Sequence, residues 1–349
     1  MSAKESYNPQ ALSCFLAFRH LPEPGLCWRP GLCPEYPAGE EAAQVAVENV
    51  EEVKTFLRAE VAGQCRGGAT GILLSGGIDS AILAAAMPPG SKAYTIRFDA
   101  EGAVDESIQA AHYCRVLGLE HHVVNVTYRQ YLDVLPLLMD AKKAPLHAVE
   151  PALYLAASAA KADGINTLLV GNGADSTFGG LDKLLSKDWS YEDFIERYNF
   201  INPARALKAP RPVEPWYRHY RRGAGIDVQG FLKTVHGMGI IQSFHTAIHA
   251  GGCDLFEPYE KMRLKHPLDL ERIRRGESKY ILRRLFSDIF GAEPIPPKIA
   301  FARPMDVWLA QYAGPRRPEF RSDLVASTFG GDQRWLLLTL DLFLEQFDA

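Results

Sequence analysis

The segment Ser75-Gly-Gly-Ile-Asp-Ser80 carries the clearest chemical content in the chain. It follows the apolar run Gly71-Ile72-Leu73-Leu74 and precedes the Ala-rich stretch from Ala81 to Met87. A strand ends, two glycines allow close backbone approach, and a helix begins. Several backbone N–H groups then face one point, which makes an anion site. The hydroxyls of Ser75 and Ser80 add donors. Asp79 alone would repel a phosphate, so a divalent cation is implied between them. Mg2+ held by one or two carboxylates and by phosphate oxygens suits this arrangement. No Gly-x-x-x-x-Gly-Lys-Ser/Thr occurs, so the loop is not the one that serves γ-phosphoryl transfer. A bare Ser-Gly-Gly would read as a tight turn with a helix cap. The full hexapeptide in a strand–turn–helix setting outweighs that reading.

A loop of this kind needs a sheet behind it. Gly71–Leu74, Ala93–Phe98, His121–Val126 and Thr167–Val170 read as strands. Residues 81–87, 105–117 and 152–162 read as the helices between them, with Pro88-Pro89-Gly90 and Gly118 as stops. Alternation of this type gives an α/β fold, a parallel sheet flanked by helices. Ligands in such folds bind beyond the carboxyl ends of the strands, where the turns after Leu74 and Val170 both lie. Residues 40–62 read as a helix carrying Val45, Val47, Val50, Val53, Phe56, Leu57 and Val61. After Gly180 the pattern becomes mainly helical, broken at Pro210, Pro212, Pro215 and Pro294 to Pro297. The expected division is a lead-in over 1–60, rich in Pro and Gly over 20–40 and read as the remnant of a linker region, an α/β unit with a helical C-terminal half over 61–320, and a helical tail over 321–349.

At 349 residues the chain is one large domain or two. Hydrophobic residues make up 47% and charged residues 23%, which suits a globular protein with an ordinary core. The net charge of -4 argues against a nucleic-acid binder. No apolar run reaches the ~20 residues that span a bilayer, and Met1 to Gln10 carries no signal core. A cytoplasmic protein without membrane partners is expected. The six cysteines are scattered, without zinc spacing, and are expected to be reduced thiols.

The hexapeptide, set between an apolar strand and an Ala-rich helix, resembles the loop of the PP-loop ATP pyrophosphatases. Downstream residues select a branch. Val170-Gly-Asn-Gly-Ala-Asp-Ser-Thr-Phe-Gly-Gly180 resembles the second signature of asparagine synthetases. Asp105-Glu106, Leu117-Gly118, His121-His122 and the helix from Pro151 to Ala162 fit the same family. Glu277-Ser-Lys279-Tyr-Ile-Leu-Arg283 resembles its Lys-x-x-Leu-Arg element, and Lys298-Ile-Ala-Phe-Ala-Arg-Pro304 with Trp308-Leu309 its Lys-x-Gly-Phe element. The resemblance runs from about residue 45 to 310 and extends to β-lactam and carbapenam synthetases. It implies the adenine-nucleotide α-hydrolase-like fold.

The resemblance also implies a reaction. ATP would be consumed to AMP and pyrophosphate while a carboxylate is adenylated, and ammonia or an amine would then displace AMP to form an amide or lactam. Ser75, Gly76, Gly77, Asp79 and Ser80 would hold the pyrophosphate, with Gly171, Asn172 and Gly173 on the facing turn. Leu73 and Ile96 would contact adenine through their backbones. Asp79 and Asp175 would bind Mg2+. Lys279 would stabilise charge at the α-phosphate or the acyl oxyanion, aided by Lys298, and Asp254 is a candidate base.

Three departures bear on substrate. Residue 2 is Ser where glutamine-using asparagine synthetases carry a catalytic Cys, and the stretch before Gly71 is too short for an amidohydrolase domain. The expected nitrogen source is free ammonia, an amine, or a separate glutaminase subunit. Asn172 stands where asparagine synthetases carry Glu, and Asn takes no proton at neutral pH. Ser176 and Pro258-Tyr-Glu-Lys261 replace the residues on the acyl side, which argues against aspartate as substrate. Two other readings stay open: a nucleobase- or tRNA-modifying PP-loop enzyme, and a catalytically silent nucleotide binder. The apolar tail would dock on the core or on a second copy of the chain.

Overall fold

A computed structural model of the chain describes residues 6–36, 44–297, 301 and 303–348. Its strands are β1 (Val45–Val47), β2 (Thr70–Leu73), β3 (Lys92–Phe98) and β4 (Glu120–Val126). They continue with β5 (Thr167–Leu169), β6 (Asp254–Phe256) and β7 (Met262–Leu264), and a two-residue hairpin pairing Arg221–Arg222 with Gly225–Ile226 is left unnumbered. Five of these form one parallel sheet in the order β4-β3-β2-β5-β6. The fold is thus α/β, with a mainly helical C-terminal half. The chain leaves β2 in one direction through β3 and β4, then returns to the other side of β2 as β5. The crevice at that reversal is where sheets of this type bind ligands.

Alternation along the strands sends side chains to two faces. Ile72 and Leu169 join Val53, Leu57, Val61, Leu282, Leu285 and Phe286 on one side. Leu168 and Val170 join Leu153, Ala157, Ala160, Ala247 and Ile248 on the other. Helices Val50–Cys65 and Tyr280–Phe290 therefore cover one face, and Glu150–Ala162 and Gly237–Ala250 the opposite one.

A larger helical core lies beside the sheet and joins distant parts of the sequence. Helix Pro9–Phe18 is buried over Ala11 to Phe18. Helix Gly331–Asp348 buries Trp335, Leu336, Leu337, Leu340, Phe343 and Leu344. The two regions meet where Tyr7 donates to the Leu344 carbonyl at 3.0 Å and Trp28 packs 5.0 Å from the Phe343 ring. The segments read as lead-in and tail thus share one core.

Two local expectations need correction. Val45 to Val47 are not helical; they pair in parallel with Met262–Leu264. The helix starts at Val50 because Asn49 caps it, accepting from the Glu52 N–H at 3.0 Å while Glu52 accepts from the Glu48 N–H at 2.8 Å. The cysteines are not all thiols: Cys27 and Cys33 form a disulfide. A tight reversal places them opposite each other, with Trp28 and Leu32 bonded at 2.9 Å and Gly31 at φ 76°. Cys14, Cys65, Cys114 and Cys253 are free. No helix among the described residues is long and apolar enough to cross a membrane.

Candidate active site

The turn after β2 folds on itself through its serines. Ser80 Oγ accepts from the Ser75 N–H at 3.1 Å, Ser75 Oγ lies 3.0 Å from Ser80 Oγ, and the Gly77 N–H donates to Ser75 Oγ at 3.2 Å. Helix Ile78–Ala84 starts at once, with Asp79 in its first turn. The turn after β5 uses Gly173 at φ 86° to start helix Ala174–Phe178, which carries Asp175. A Cβ on Gly173 would come within 2.8 Å of the Glu260 nitrogen. The two turns touch: a Cβ on Gly171 would lie 3.2 Å from Asp79 Cβ.

Lys279 ties the turns together. Its Nζ lies 2.5 Å from Asp79 Oδ2 and 2.7 Å from Asp175 Oδ1. It is 6% exposed and adopts φ 53°, a left-handed conformation unusual for a residue with a Cβ. Burial alone would lower the Lys279 pKa; the Asp79 and Asp175 charges outweigh it and hold it above the usual lysine range. Gly180 closes the site from below, since a Cβ there would collide with Asp175 Oδ1 and Lys279 Cε. Tyr259, fully buried, fixes the Asp79 backbone by donating to its carbonyl at 3.0 Å.

A cavity of about 220 Å3 opens above these groups. Leu73, Ser75, Asp79, Ser80 and Ile96 line it from the β2–β3 side, and Gly171, Asn172 and Asp175 from the β5 side. Gly76 and Gly77 lie in a neighbouring depression with Glu106. Gly173 acts from behind, as the turn residue described above.

Asp254 is not brought here. It is exposed, at the first position of β6, paired with Thr167 at the first position of β5. That is the amino edge of the sheet, and the cavity is at the carboxyl edge. Lys298 lies outside the described residues.

Several residues at the site had no role assigned from the sequence. Glu106 accepts from the Gly76 N–H at 3.2 Å, and burial raises its pKa above the usual carboxylate range. Its neighbour Asp105 instead binds the Ser107 N–H at 2.9 Å. Glu257 follows directly after β6 and so stands at the carboxyl edge. Its carboxylate accepts from Asn172 Nδ2 at 2.8 Å and lies 3.0 Å from His245 Nε2. Glu260 is next to it, its pKa pushed up to about 7 by burial and then by the Glu257 charge, with Lys233 opposing. Phe244, Leu153 and Phe301 complete the apolar wall. Helix Gly237–Ala250, which supplies Phe244 and His245, has no glycine-rich or charged signature to mark it in the sequence.

A family model described as asparagine synthase matches residues 52–232. Among curated proteins, the chain is 28% identical over 162 residues to Amidase chry2 of Gibberella zeae, covering 41% of this chain and 23% of that protein. It is 28% identical over 151 residues to Amidase chyE of Penicillium rubens, covering 38% of this chain and 21% of that protein. The chain thus spans less than a quarter of the length of these relatives.

Proposed function

Since the chain belongs to the asparagine synthase family, a family of ATP-dependent amide-forming ligases, we propose that it adenylates a small carboxylic acid and transfers the acyl group to ammonia or an amine. AMP and pyrophosphate are the other products. The observation that carries this reading is the meeting of Asp79 and Asp175, both lining the cavity, on the buried ammonium of Lys279. The two carboxylates that hold Lys279 also line the cavity, and with phosphate oxygens and water they would complete the oxygen shell of Mg2+. When bound there, Mg2+ would neutralise the pyrophosphate leaving group. The serine turn binds the pyrophosphate oxygens, and Lys279 stabilises charge on the α-phosphate and on the acyl oxyanion.

The second half-reaction needs a base, and Asn172 cannot supply one. Glu257 takes that role. The amine nitrogen bonds to the acyl carbon, the bond from that carbon to the AMP oxygen breaks, and the nitrogen's proton passes to Glu257. Asn172 and His245 hold the carboxylate in place. This contact also weighs against a catalytically silent protein.

The test is exchange of labelled pyrophosphate into ATP across a panel of acids, with hydroxylamine added to trap acyl-adenylate. Acid-dependent exchange that falls by at least about 100-fold in Asp79→Asn is expected. Exchange that is equal in the variant, or no exchange and no hydroxamate with any acid, would sink the reading.

A further inference from the structure

The helix that follows β3 packs against the serine turn. Helix Ser107–Leu117 starts directly after Glu106. Its buried Tyr113 donates to the Gly76 carbonyl at 3.4 Å. A Cβ on Gly76 would lie 3.4 Å from Gln109 Cβ. This packing holds the Glu106 backbone within reach of the turn, and Glu106 Oε1 accepts from the Gly76 N–H at 3.2 Å. The N–H and the carbonyl of Gly76 are thus both engaged by one segment.

A carboxylate at this place needs a reason. The N–H groups of the turn form an anion site, and Glu106 already fills part of it. Glu106 is half-buried, and among the described residues it makes no ion pair. Its neighbour Asp105 is exposed and turns to the Ser107 N–H instead, at 2.9 Å. Burial raises the Glu106 pKa, and the bond from Gly76 opposes that rise. A partly desolvated carboxylate without a cation leans on whatever donor it has, which here is a donor that a phosphate would need.

Glu106 also stands between two hollows. It lines the 220 Å3 cavity together with Ser75, Asp79 and Ser80. It lines a second hollow of about 160 Å3 with Gly76, Gly77, Gln109, Pro296 and Pro297. A carboxylate released from Gly76 has room to rotate into the second hollow while the first one fills.

We propose that Glu106 is a stand-in for pyrophosphate: its carboxylate occupies the turn when the turn is empty, is displaced when phosphates bind, and speeds the departure of pyrophosphate by competing for the Gly76 N–H. The proposal rests on the adenylation reading and adds a residue that governs product release. Two anions that share one N–H come within about 4–5 Å of each other, where like charges repel appreciably in a half-buried setting. ATP and pyrophosphate both meet this charge. ATP has its adenosine to hold it in the cavity as well, whereas free pyrophosphate has only the turn. The competition therefore leaves the product as the weaker binder and favours the forward reaction.

The test is calorimetry of pyrophosphate binding, with and without Mg2+, for the wild type, Glu106→Gln and Glu106→Ser. Gln keeps the size and removes the charge. Ser removes the side chain and suits the start of a helix. Both variants should bind Mg2+-pyrophosphate on the order of 30-fold more tightly, and the KM for pyrophosphate in exchange into ATP should fall by a similar factor. A purely structural role predicts the opposite sign, because a disturbed turn binds less well. Equal or weaker binding in both variants overturns the proposal and leaves the adenylation reading standing. Weakening confined to the samples with Mg2+ also overturns it, and assigns Glu106 to the metal. No binding to any form would remove the proposal and the pyrophosphate turn together. Tighter binding in the variants, with no exchange on any acid, would keep the proposal and remove the adenylation reading.

Discussion

Glu260 shows how a single side chain reports on its surroundings. Its folded-state pKa is pushed up to about 7, so the folded chain binds a proton there more tightly than the unfolded chain does. Native stability must therefore fall as pH rises from about 4.5 to 7 through this group. Glu260→Gln should raise the melting temperature at pH 8 relative to wild type, and the gain should vanish near pH 4.5. A pH series of thermal melts measures this; an equal gain at both pH values would exclude the ionisation as its cause. Gly180 acts by size alone. Gly180→Ala should displace Asp175 and Lys279 and lower pyrophosphate exchange by about 100-fold, with little change in melting temperature. Sequence alone singled out Lys279 through its Lys-x-x-Leu-Arg setting, but not the ion pairs it makes, because no spacing rule links residues 79, 175 and 279. Asp254, the base candidate read from the sequence, stands away from the cavity, and the proposed base Glu257 follows it by three residues. Asp254 and Glu257 stand at the two ends of one short strand, and a strand of that length has no periodicity to orient it.

At the level of elements, the glycine turns and the first four strands of the sheet were legible, because strand–turn–helix alternation repeats over residues 70–170. The fifth strand and helix Gly237–Ala250 were not. That helix is apolar around much of its circumference, since the sheet covers one side and other helices the rest. Polar groups between elements are also invisible to pattern. Lys142, which precedes the turn into helix Glu150–Ala162, reaches Glu150 at 2.6 Å, and neither is more than 1% exposed. Burial raises the Glu150 pKa, while Lys142 pulls it back. Removing one partner leaves the other charge stranded. Lys142→Met should cost about 3–5 kcal/mol in urea unfolding, and the double variant Lys142→Met/Glu150→Leu should recover much of it.

For the whole molecule, the helical core is as important as the sheet. Trp28 is fully buried, packs on Phe15 and Phe343, and donates to the Lys143 carbonyl at 2.8 Å. Trp28→Ala should lower stability by about 3–5 kcal/mol, read from denaturant midpoints, although the residue is remote from the cavity. Composition predicted a core of ordinary size but not its connectivity, because burial over residues 9–18 cannot say which distant helix covers them.

The pairing of helix Pro9–Phe18 with helix Gly331–Asp348 has a consequence during synthesis. Helix Pro9–Phe18 is synthesised well before its partner, which is the last of the described elements in chain order. The contact between Tyr7 and Leu344 joins residues 337 apart and cannot form until Leu344 has been synthesised. The sheet over residues 70–170 can assemble earlier, from local strand–helix units. Until helix Gly331–Asp348 has been made, the nascent chain therefore carries helix Pro9–Phe18 without the partner that covers it, a segment open to premature association.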